Sequence, residues 1–404
     1  MAPSPTASST DARATNLPWS TGQTPHARPA DLGYRMPAEW EPHDATWIAW
    51  PHNRTDWPGK FEPVPWVYAE IIRHLSQVER VEILVKDAAE EKQARGVLRS
   101  AGVSTADVNF HRIPTNRSWT RDYLPSFVRM DGVVLHGRDV AAQLGVEEVP
   151  DQFRLGMVKW RFNGWAKYKD WRQDEAAAGK MISKIGLPVW FPAVPQAKRE
   201  VQVVLEGGAI DVNGLGTLLT TEECLLSTAQ QCRNPGMSRE ELETFMAAYL
   251  GIRHVVWLGR GIAGDDTHGH IDDIARFVAP DTVVACVEWN PADANHEPLN
   301  DNLKRLRAAT DQDGRPLRVV ELPMPGPVTF RGQRLPASYA NFYIANRLVL
   351  VPTFNDPNDR RALNILAELF PERQVVGIYC GDLVLGLGTL HCMTQQQPRA
   401  EYCG

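Results

Sequence analysis

Hydrophobic positions along the chain follow one order four times: an apolar run, an amphipathic stretch and a second apolar run. The runs are rich in β-branched residues, as strands are, and the stretches between them have the three- and four-residue spacing of a helix. A Ser-x-x-Glu capping box at Ser238 and Glu241 marks the start of one such helix. We therefore predict an α/β fold of repeated strand-helix-strand units, with each helix covering one side of a sheet. The four units span residues 78–114, 216–259, 282–323 and 347–380.

Polar motifs distinguish this repeated fold from an ordinary doubly wound sheet, which would give a similar hydrophobic pattern. Each motif falls at a strand end or in a loop, and each belongs to a different unit. We expect residues from several repeats to converge on one central site. The motifs are NRSWTRD (116–122), LEGG (205–208), THGHIDD (267–273) and GTLHC (388–392).

Composition bounds the domain organisation. The chain has 404 residues, of which 43% are hydrophobic, enough for a substantial core. Residues 1–30 are rich in Ser, Thr, Ala and Pro and predict a disordered tail. Because no linker divides residues 31–404, we expect a single domain there.

Charge and cysteine content narrow the class of partner. The formal net charge of -6 argues against a nucleic-acid or anionic-membrane surface, and a small cationic substrate suits it better. No apolar run approaches the length of a bilayer span and no signal peptide is evident, so we expect a cytoplasmic protein. Six scattered cysteines without a CxxC pair indicate reduced thiols and no structural zinc knuckle.

The segment GDDTHGHIDD is unusually dense in titratable residues. If it is extended, His268, His270 and Asp272 share one face. Two hypotheses then compete. The first is a metal-dependent amidohydrolase that uses His268 and His270 as ligands, with Asp272 added. The second uses one histidine as acid and base and the carboxylates to grip a cation, which requires a nucleophile elsewhere.

Cys392 is a candidate for that nucleophile. It follows a glycine-rich turn and precedes polar residues, whereas Cys224, Cys286 and Cys380 lie beside strand-like residues and suit buried positions. His391 is adjacent and, on a strand, would point the opposite way. Asp122 and Glu206 are weaker signals alone, since a turn Asp and a Glu before two glycines are common.

Eight blocks of the sequence, in order along the chain, carry a resemblance to a known family. They are residues 34–51, 116–123, 160–168, 205–226, 264–277, 335–346, 351–362 and 388–398. Taken together, these blocks resemble the guanidine-modifying pentein enzymes, and within them the group of agmatine deiminases and bacterial peptidylarginine deiminases. The similarity extends over most of residues 34–398. The fold it implies is a five-bladed α/β propeller of ββαβ units with pseudo-fivefold symmetry.

The resemblance implies a role for each polar residue. Cys392 would be the nucleophile and His270 the general acid and base. Asp122 and Asp272 would bind the guanidinium nitrogens. Glu206 would orient the histidine. Neither a metal nor a cofactor is required.

The tail of the substrate is where the sequence departs from the family. Asp265-Asp266-Thr267 stands where agmatine deiminases often have Asp-Glu-Thr, and Gly386-Leu387-Gly388-Thr389 replaces Gly-Gly-Gly-Asn. Asp266 and Asp31 are candidates to bind a distal amine, and Trp119 to wall the alkyl chain.

Three assignments of activity follow. We expect conversion of agmatine to N-carbamoylputrescine and ammonia, with peptidylarginine or free arginine as the alternative substrate. A non-catalytic guanidine-binding relative is disfavoured because the thiol, the imidazole and the acids occur together.

Related proteins often form symmetric assemblies, so a homo-oligomer is possible.

Overall fold

A recurring strand order dominates the structure, a computed structural model that describes residues 27–130, 134–135, 138–139, 154–196 and 199–400. Five sheets each contain two antiparallel strands and, after a helix, a third strand parallel to the second. In pairing order the strands are Gln395–Pro398, His43–Ala49, Arg80–Val85 and Val108–Arg112 (sheet 1); Tyr34–Arg35, Ser126–Met130, Leu155–Val158 and Val189–Trp190 (sheet 2); Asp211–Val212, Thr217–Thr221 and His254–Leu258 (sheet 3); Ala275–Ala279, Thr282–Val287 and Arg318–Pro323 (sheet 4); and Tyr343–Ala345, Leu348–Thr353 and Gln374–Tyr379 (sheet 5).

Helices and small hairpins connect these sheets. The described α-helices are Val64–Leu75, Ala88–Ser100, Thr120–Tyr123, Arg172–Ile185, Glu222–Leu225, Arg239–Leu250, His296–Ala308 and Asp359–Leu369. The 3-10 turns are Ala30–Leu32, Gly207–Ala209, Ile271–Asp273 and Leu383–Gly386. Two-stranded hairpins join Val134–Leu135 to Arg138–Asp139, Ala193–Gln196 to Arg199–Gln202, and Thr329–Phe330 to Gln333–Arg334.

The mixed α/β class and the four predicted strand-helix-strand units are confirmed. The structure adds two units that the pattern did not indicate, around the helices Val64–Leu75 and Arg172–Ile185. The second was missed because its strands, Leu155–Val158 and Val189–Trp190, are too short to show a hydrophobic period. The central strands are buried throughout, as the near-continuous apolar sequence of Thr282–Val287 requires.

Local sequence signals act where expected. The backbone N–H of Glu241 donates to Ser238 Oγ at 3.2 Å, and that of Ser238 donates to Glu241 Oε2 at 2.8 Å, which completes the predicted capping box. Of the predicted tail, residues 1–26 lie outside the described part, and Ala30 already belongs to a 3-10 turn. No helix in the described ranges has the length and apolar character needed to cross a bilayer.

The two ends of the described chain meet in sheet 1. Gln395–Pro398 pairs antiparallel with His43–Ala49, so the segment carrying Cys392 is held three residues before a buried strand. The helical turn Thr120–Tyr123 is tied to the same segment. Thr120 Oγ1 donates to the Met393 carbonyl at 2.8 Å, and the Arg121 N–H donates to the Cys392 carbonyl at 3.2 Å.

Glu39 joins four distant parts of the chain at the centre of the fold. Its Oε1 accepts from Arg276 Nη2 at 2.9 Å and from the Ile344 N–H at 2.8 Å. Its Oε2 accepts from Arg121 Nη2 at 3.2 Å and lies 2.8 Å from His391 Nε2. Burial alone would raise the pKa of Glu39, but Arg276, His391 and Arg121 together hold that pKa well below its ordinary value. The buried carboxylate is therefore ionised and fully partnered.

We expect Glu39→Gln to lower the free energy of unfolding by about 3 kcal/mol, because it leaves buried arginines with less compensating charge. Urea unfolding at neutral pH measures the loss. Since the folded pKa of Glu39 is depressed, its contribution is present at neutral pH and lost as the pH falls through that depressed value, so the difference should shrink in acid. Glu62→Gln is the control: its ion pair with Arg54 is about two-thirds exposed, so its loss should leave the free energy of unfolding almost unchanged. Equal losses in the two variants would contradict the central role of Glu39.

Candidate active site

A cavity of about 440 Å³ opens beside the C-terminal segment. Four of the predicted site residues line it, namely Cys392, Asp122, Trp119 and Asp266. Trp119 packs against Trp57 with ring centroids 5.7 Å apart and forms one wall. Gly386 and Gly388 face the same ring, and a Cβ on either would lie 2.8 or 3.0 Å from it. The turn before Cys392 is therefore glycine-rich because the indole is in contact with its backbone.

Cys392 is nearly buried and is held by Asn341. The thiol Sγ lies 3.1 Å from Asn341 Nδ2 and 3.6 Å from Asp272 Oδ2. The amide oxygen of Asn341 accepts from Thr389 Oγ1 at 2.8 Å and from the His391 N–H at 3.0 Å. Asn341 thus fixes both the thiol and the loop that presents it. Sequence reasoning placed Asn341 in a matching block (335–346) without assigning it a role.

The surroundings of Cys392 disfavour a thiolate. Burial raises the pKa of the thiol well above its ordinary value, and the carboxyl groups of Asp272, Asp273 and Asp122 raise it further. The hydrogen bond from Asn341 acts in the opposite direction but does not compensate. These surroundings therefore favour the protonated thiol at neutral pH.

His270 lies buried between two acids. Its Nδ1 is 3.9 Å from Asp122 Oδ1, and its Nε2 is 3.8 Å from Glu206 Oε2. Neither ring nitrogen has a hydrogen-bond partner among the described residues. Gly208 makes this packing possible, because a Cβ there would lie 2.5 Å from His270 Nδ1 and 2.9 Å from Asp122 Oδ1.

Arg233 sets the charge of this pair. Its Nε donates to Glu206 Oε1 at 3.1 Å and Oε2 at 3.3 Å. Burial opposes ionisation of Glu206, but Arg233 and then His270 lower its pKa to about 2. Burial likewise opposes a charged His270, yet Asp122 and other neighbours raise its pKa well above the ordinary value. The imidazole is thus cationic at neutral pH. Arg233 carried no signal in the sequence analysis because its segment matches no catalytic motif.

Asp122 and Asp272 present acceptors of different kinds. Asp122 accepts from the Gly208 N–H at 3.0 Å and from Trp165 Nε1 at 2.8 Å. Asp272 Oδ2 lies 2.7 Å from His391 Nδ1, whereas its buried Oδ1 has no partner among the described residues. Burial raises the pKa of Asp122, while His391 outweighs burial and lowers that of Asp272. Two carboxyl groups next to a thiol form a site suited to a planar cation with several N–H donors.

The expectation of an extended GDDTHGHIDD segment is wrong. His268 has φ of 64°, and Ile271–Asp273 forms a 3-10 turn, so alternate residues do not share a face. His268 Nδ1 faces Glu223 Oε1 at 3.7 Å, away from the acids around His270. The metal hydrolase hypothesis therefore lacks the paired imidazoles on which it depends. His391, read as pointing away, instead bridges Asp272 and Glu39.

The two candidates for a distal amine lie in different places. Asp266 lines the cavity, where Tyr168 OH donates to its Oδ2 at 2.6 Å and Lys167 Nζ pairs with its Oδ1. Asp31 is exposed on the turn Ala30–Leu32 and is not among the described residues that line the cavity. Only Asp266 is placed to contact a molecule bound beside Cys392.

The fold and the site together define a guanidine-modifying hydrolase. A family model of Porphyromonas-type peptidyl-arginine deiminases matches residues 35–398, and the chain belongs to this family. It is 36% identical over 393 residues to a candidate agmatine deiminase of Selenomonas ruminantium, covering 91% of this chain and 97% of that protein.

Two solved structures of related proteins share this architecture. An agmatine deiminase of Enterococcus faecalis aligns with a TM-score of 0.79 at 31% identity, covering 93% of this chain and 98% of that one. A candidate arginine deiminase of Porphyromonas gingivalis aligns with a TM-score of 0.75 at 32% identity, covering 91% and 99%.

Proposed function

We propose that this protein hydrolyses the guanidinium group of agmatine to N-carbamoylputrescine and ammonia, using Cys392 as a covalent nucleophile. The observation that carries the proposal is the grouping of a thiol, two carboxyl groups and a buried imidazole beside one cavity. Cys392 and Asp122 line that cavity. Behind them, Asp272 Oδ2 lies 3.6 Å from the thiol and His270 Nδ1 lies 3.9 Å from Asp122 Oδ1. Relatives of this chain that carry the name agmatine deiminase support the choice of substrate. We also infer that the five sheets surround this site as blades of a propeller, within one catalytic domain of residues 31–404.

Substrate binding follows from the donors of the guanidinium group. It is planar, carries N–H donors in a fixed fork and stays protonated at neutral pH. In our proposal Asp272 Oδ1, buried without a partner, accepts from one edge, and Asp122 lies at the other. The two acids orient the central carbon towards Cys392 Sγ, and Trp119 packs against the alkyl chain.

The reaction then proceeds in two halves. The Cys392 thiolate attacks the guanidinium carbon, and His270 gives a proton to the departing nitrogen, which leaves as ammonia. A thiouronium remains on the sulfur. His270, now neutral, takes a proton from water as that water attacks the same carbon, and the ureido product leaves with the thiolate restored. Glu206, fixed by Arg233, orients the imidazole through both steps.

We expect Cys392→Ser to reduce kcat by at least about 10³-fold while agmatine still binds, because Asp122 and Asp272 remain in place. Ammonia release measures the first quantity and isothermal titration the second. Cys380→Ser, which changes another fully buried thiol, is the matched control and should keep its activity. Turnover by Cys392→Ser would remove the covalent step.

The pH dependence should differ between the free and the bound enzyme. The acids around Cys392 hold the thiol pKa high, and a bound guanidinium adds positive charge that lowers it. The thiol must lose a proton to react, so kcat/KM should rise with pH into the alkaline range, whereas kcat should complete its rise at lower pH. Steady-state profiles test this difference. The same apparent pKa for kcat/KM and kcat would rule out activation of the thiol by the substrate.

Recognition of the tail separates agmatine from arginine. We assign Asp266, at the cavity wall, to bind the distal ammonium of agmatine. Lys167 and Tyr168 also contact this carboxylate, so the ammonium would be a third donor to it. One observation favours a substrate with a carboxylate instead. Arg331 lines the same cavity, and no described carboxyl group forms an ion pair with it. Free or peptidyl arginine is therefore the second candidate.

A substrate panel of agmatine, arginine and a benzoylated arginine ester decides between them. We expect the highest kcat/KM for agmatine, and we expect Asp266→Asn to raise KM for agmatine by about tenfold, the effect of losing one charge-assisted hydrogen bond. Asp313→Asn, which changes a partly exposed acid paired with Arg253, is the control and should leave KM unchanged. Higher kcat/KM for arginine would overturn the substrate while leaving the chemistry intact.

A further inference from the structure

A second cysteine, Cys224, lies close to the histidine that we assign as acid and base. Cys224 sits in the short helix Glu222–Leu225 and is completely buried. Ligand atoms of Cys224, His270 and Glu206 all lie within 4.8 Å of one another. In the described part of the chain these are the residues whose spacing suits a metal ion, and the mechanism above uses only two of them.

Two hydrogen bonds hold the loop of His270 against the helix of Cys224. Thr221 Oγ1 donates to the Gly269 carbonyl at 2.5 Å and accepts from the Cys224 N–H at 3.1 Å. A side chain at Gly269 would collide with this arrangement, since its Cβ would come within 3.1 Å of Thr221 Oγ1. The closeness of the thiol to the imidazole is thus built into the backbone.

The imidazole can act as a ligand if zinc displaces one of its ring protons, since metal binding releases protons from the ligands. The side chain of His270 is only 1% exposed, and both of its ring nitrogens lack a hydrogen-bond partner among the described residues. Buried polar atoms are rarely left unpaired, and such an atom often marks the place of an ion or a water. Glu206 is ionised, and a carboxylate that accepts from Arg233 keeps lone pairs for a metal.

We propose that Glu206, Cys224 and His270 form an inhibitory site for Zn²⁺. One thiolate, one imidazole and one carboxylate are ligand types that zinc prefers, and three protein ligands leave a fourth position for water. Tetrahedral zinc at its usual bond lengths places ligand atoms about 3.5 Å apart, so small side-chain rotations close the site.

Bound zinc would stop the reaction by occupying His270. The nitrogen that faces Glu206 is Nε2, and Nδ1 faces Asp122. With zinc on Nε2 the ring cannot carry two protons, so His270 can no longer change between the charged and neutral forms that the reaction requires. Inhibition would be reversed by a chelator, because no covalent bond of the protein is changed. Asp122 lines the cavity and lies 3.9 Å from His270 Nδ1, so the ion would enter from the substrate side.

Cobalt(II) provides a test that does not depend on catalysis. With the full-length chain freed of metal, addition of Co²⁺ should produce the near-ultraviolet charge-transfer absorption of a thiolate bound to cobalt. We expect this band in the wild type, in Cys392→Ser and in the buried-thiol control Cys380→Ser, and its loss in Cys224→Ser. Loss in Cys392→Ser with retention in Cys224→Ser would overturn the proposal, since the metal would then bind the nucleophile.

Two further measurements protect the test from a variant that fails to fold. Zn²⁺ should inhibit ammonia release by the wild type with recovery on adding EDTA, and Cys224→Ser should require about 100-fold more zinc. A zinc-soaked crystal of Cys392→Ser should show an anomalous peak between the three ligands. No peak there, together with no cobalt band in Cys392→Ser, refutes the site. The inhibition rests on the proposed function, whereas the band and the peak do not, so the two ideas fail separately.

Discussion

One buried carboxylate holds the centre of this fold together. Glu39 accepts from Arg276, Arg121, the Ile344 backbone and His391, which come from widely separated parts of the chain. Each donor loses its contact with water on folding, and a shared, ionised acceptor offsets that loss. Through His391 the same carboxylate also orients Asp272. The hydrogen bonds of the central structural network therefore continue through His391 to Asp272, one of the two acids that we propose bind the substrate.

The site that results is poorly suited to hold a thiolate in the absence of ligand. Burial and the carboxyl groups of Asp272, Asp273 and Asp122 raise the pKa of the Cys392 thiol, and in our proposal a bound cation lowers it again. This arrangement couples reactivity to the charge of the occupant. Neutral or anionic molecules that enter the cavity would meet a protonated and comparatively unreactive thiol.

The sequence indicated those candidate site residues that lie in recognisable local motifs. Cys392, His270 and Asp122 stand in short, distinctive blocks, and four of the strand-helix units show clear hydrophobic periods. The sequence did not indicate a role for Glu39 or Arg233. Their contacts are with residues far away in the chain, and those contacts depend on how the sheets assemble. The face assigned to His268 was wrong because a left-handed residue before Gly269 breaks the alternation that a strand would impose. Long-range pairing and exceptional backbone angles are what periodicity leaves undetermined.

The pairing of Gln395–Pro398 with His43–Ala49 makes assembly of the site depend on a strand that is synthesised late. The ribosome adds Asp122, His270 and Asp272 before it adds Cys392 and the strand Gln395–Pro398 that holds the segment of Cys392 in place. In the proposed mechanism, a chain that ended before residue 392 would carry the acids that bind the cation without the nucleophile. If Cys392 is the nucleophile, as we propose, the reaction has to wait until Gln395–Pro398 has paired with His43–Ala49 and fixed the segment that carries the thiol.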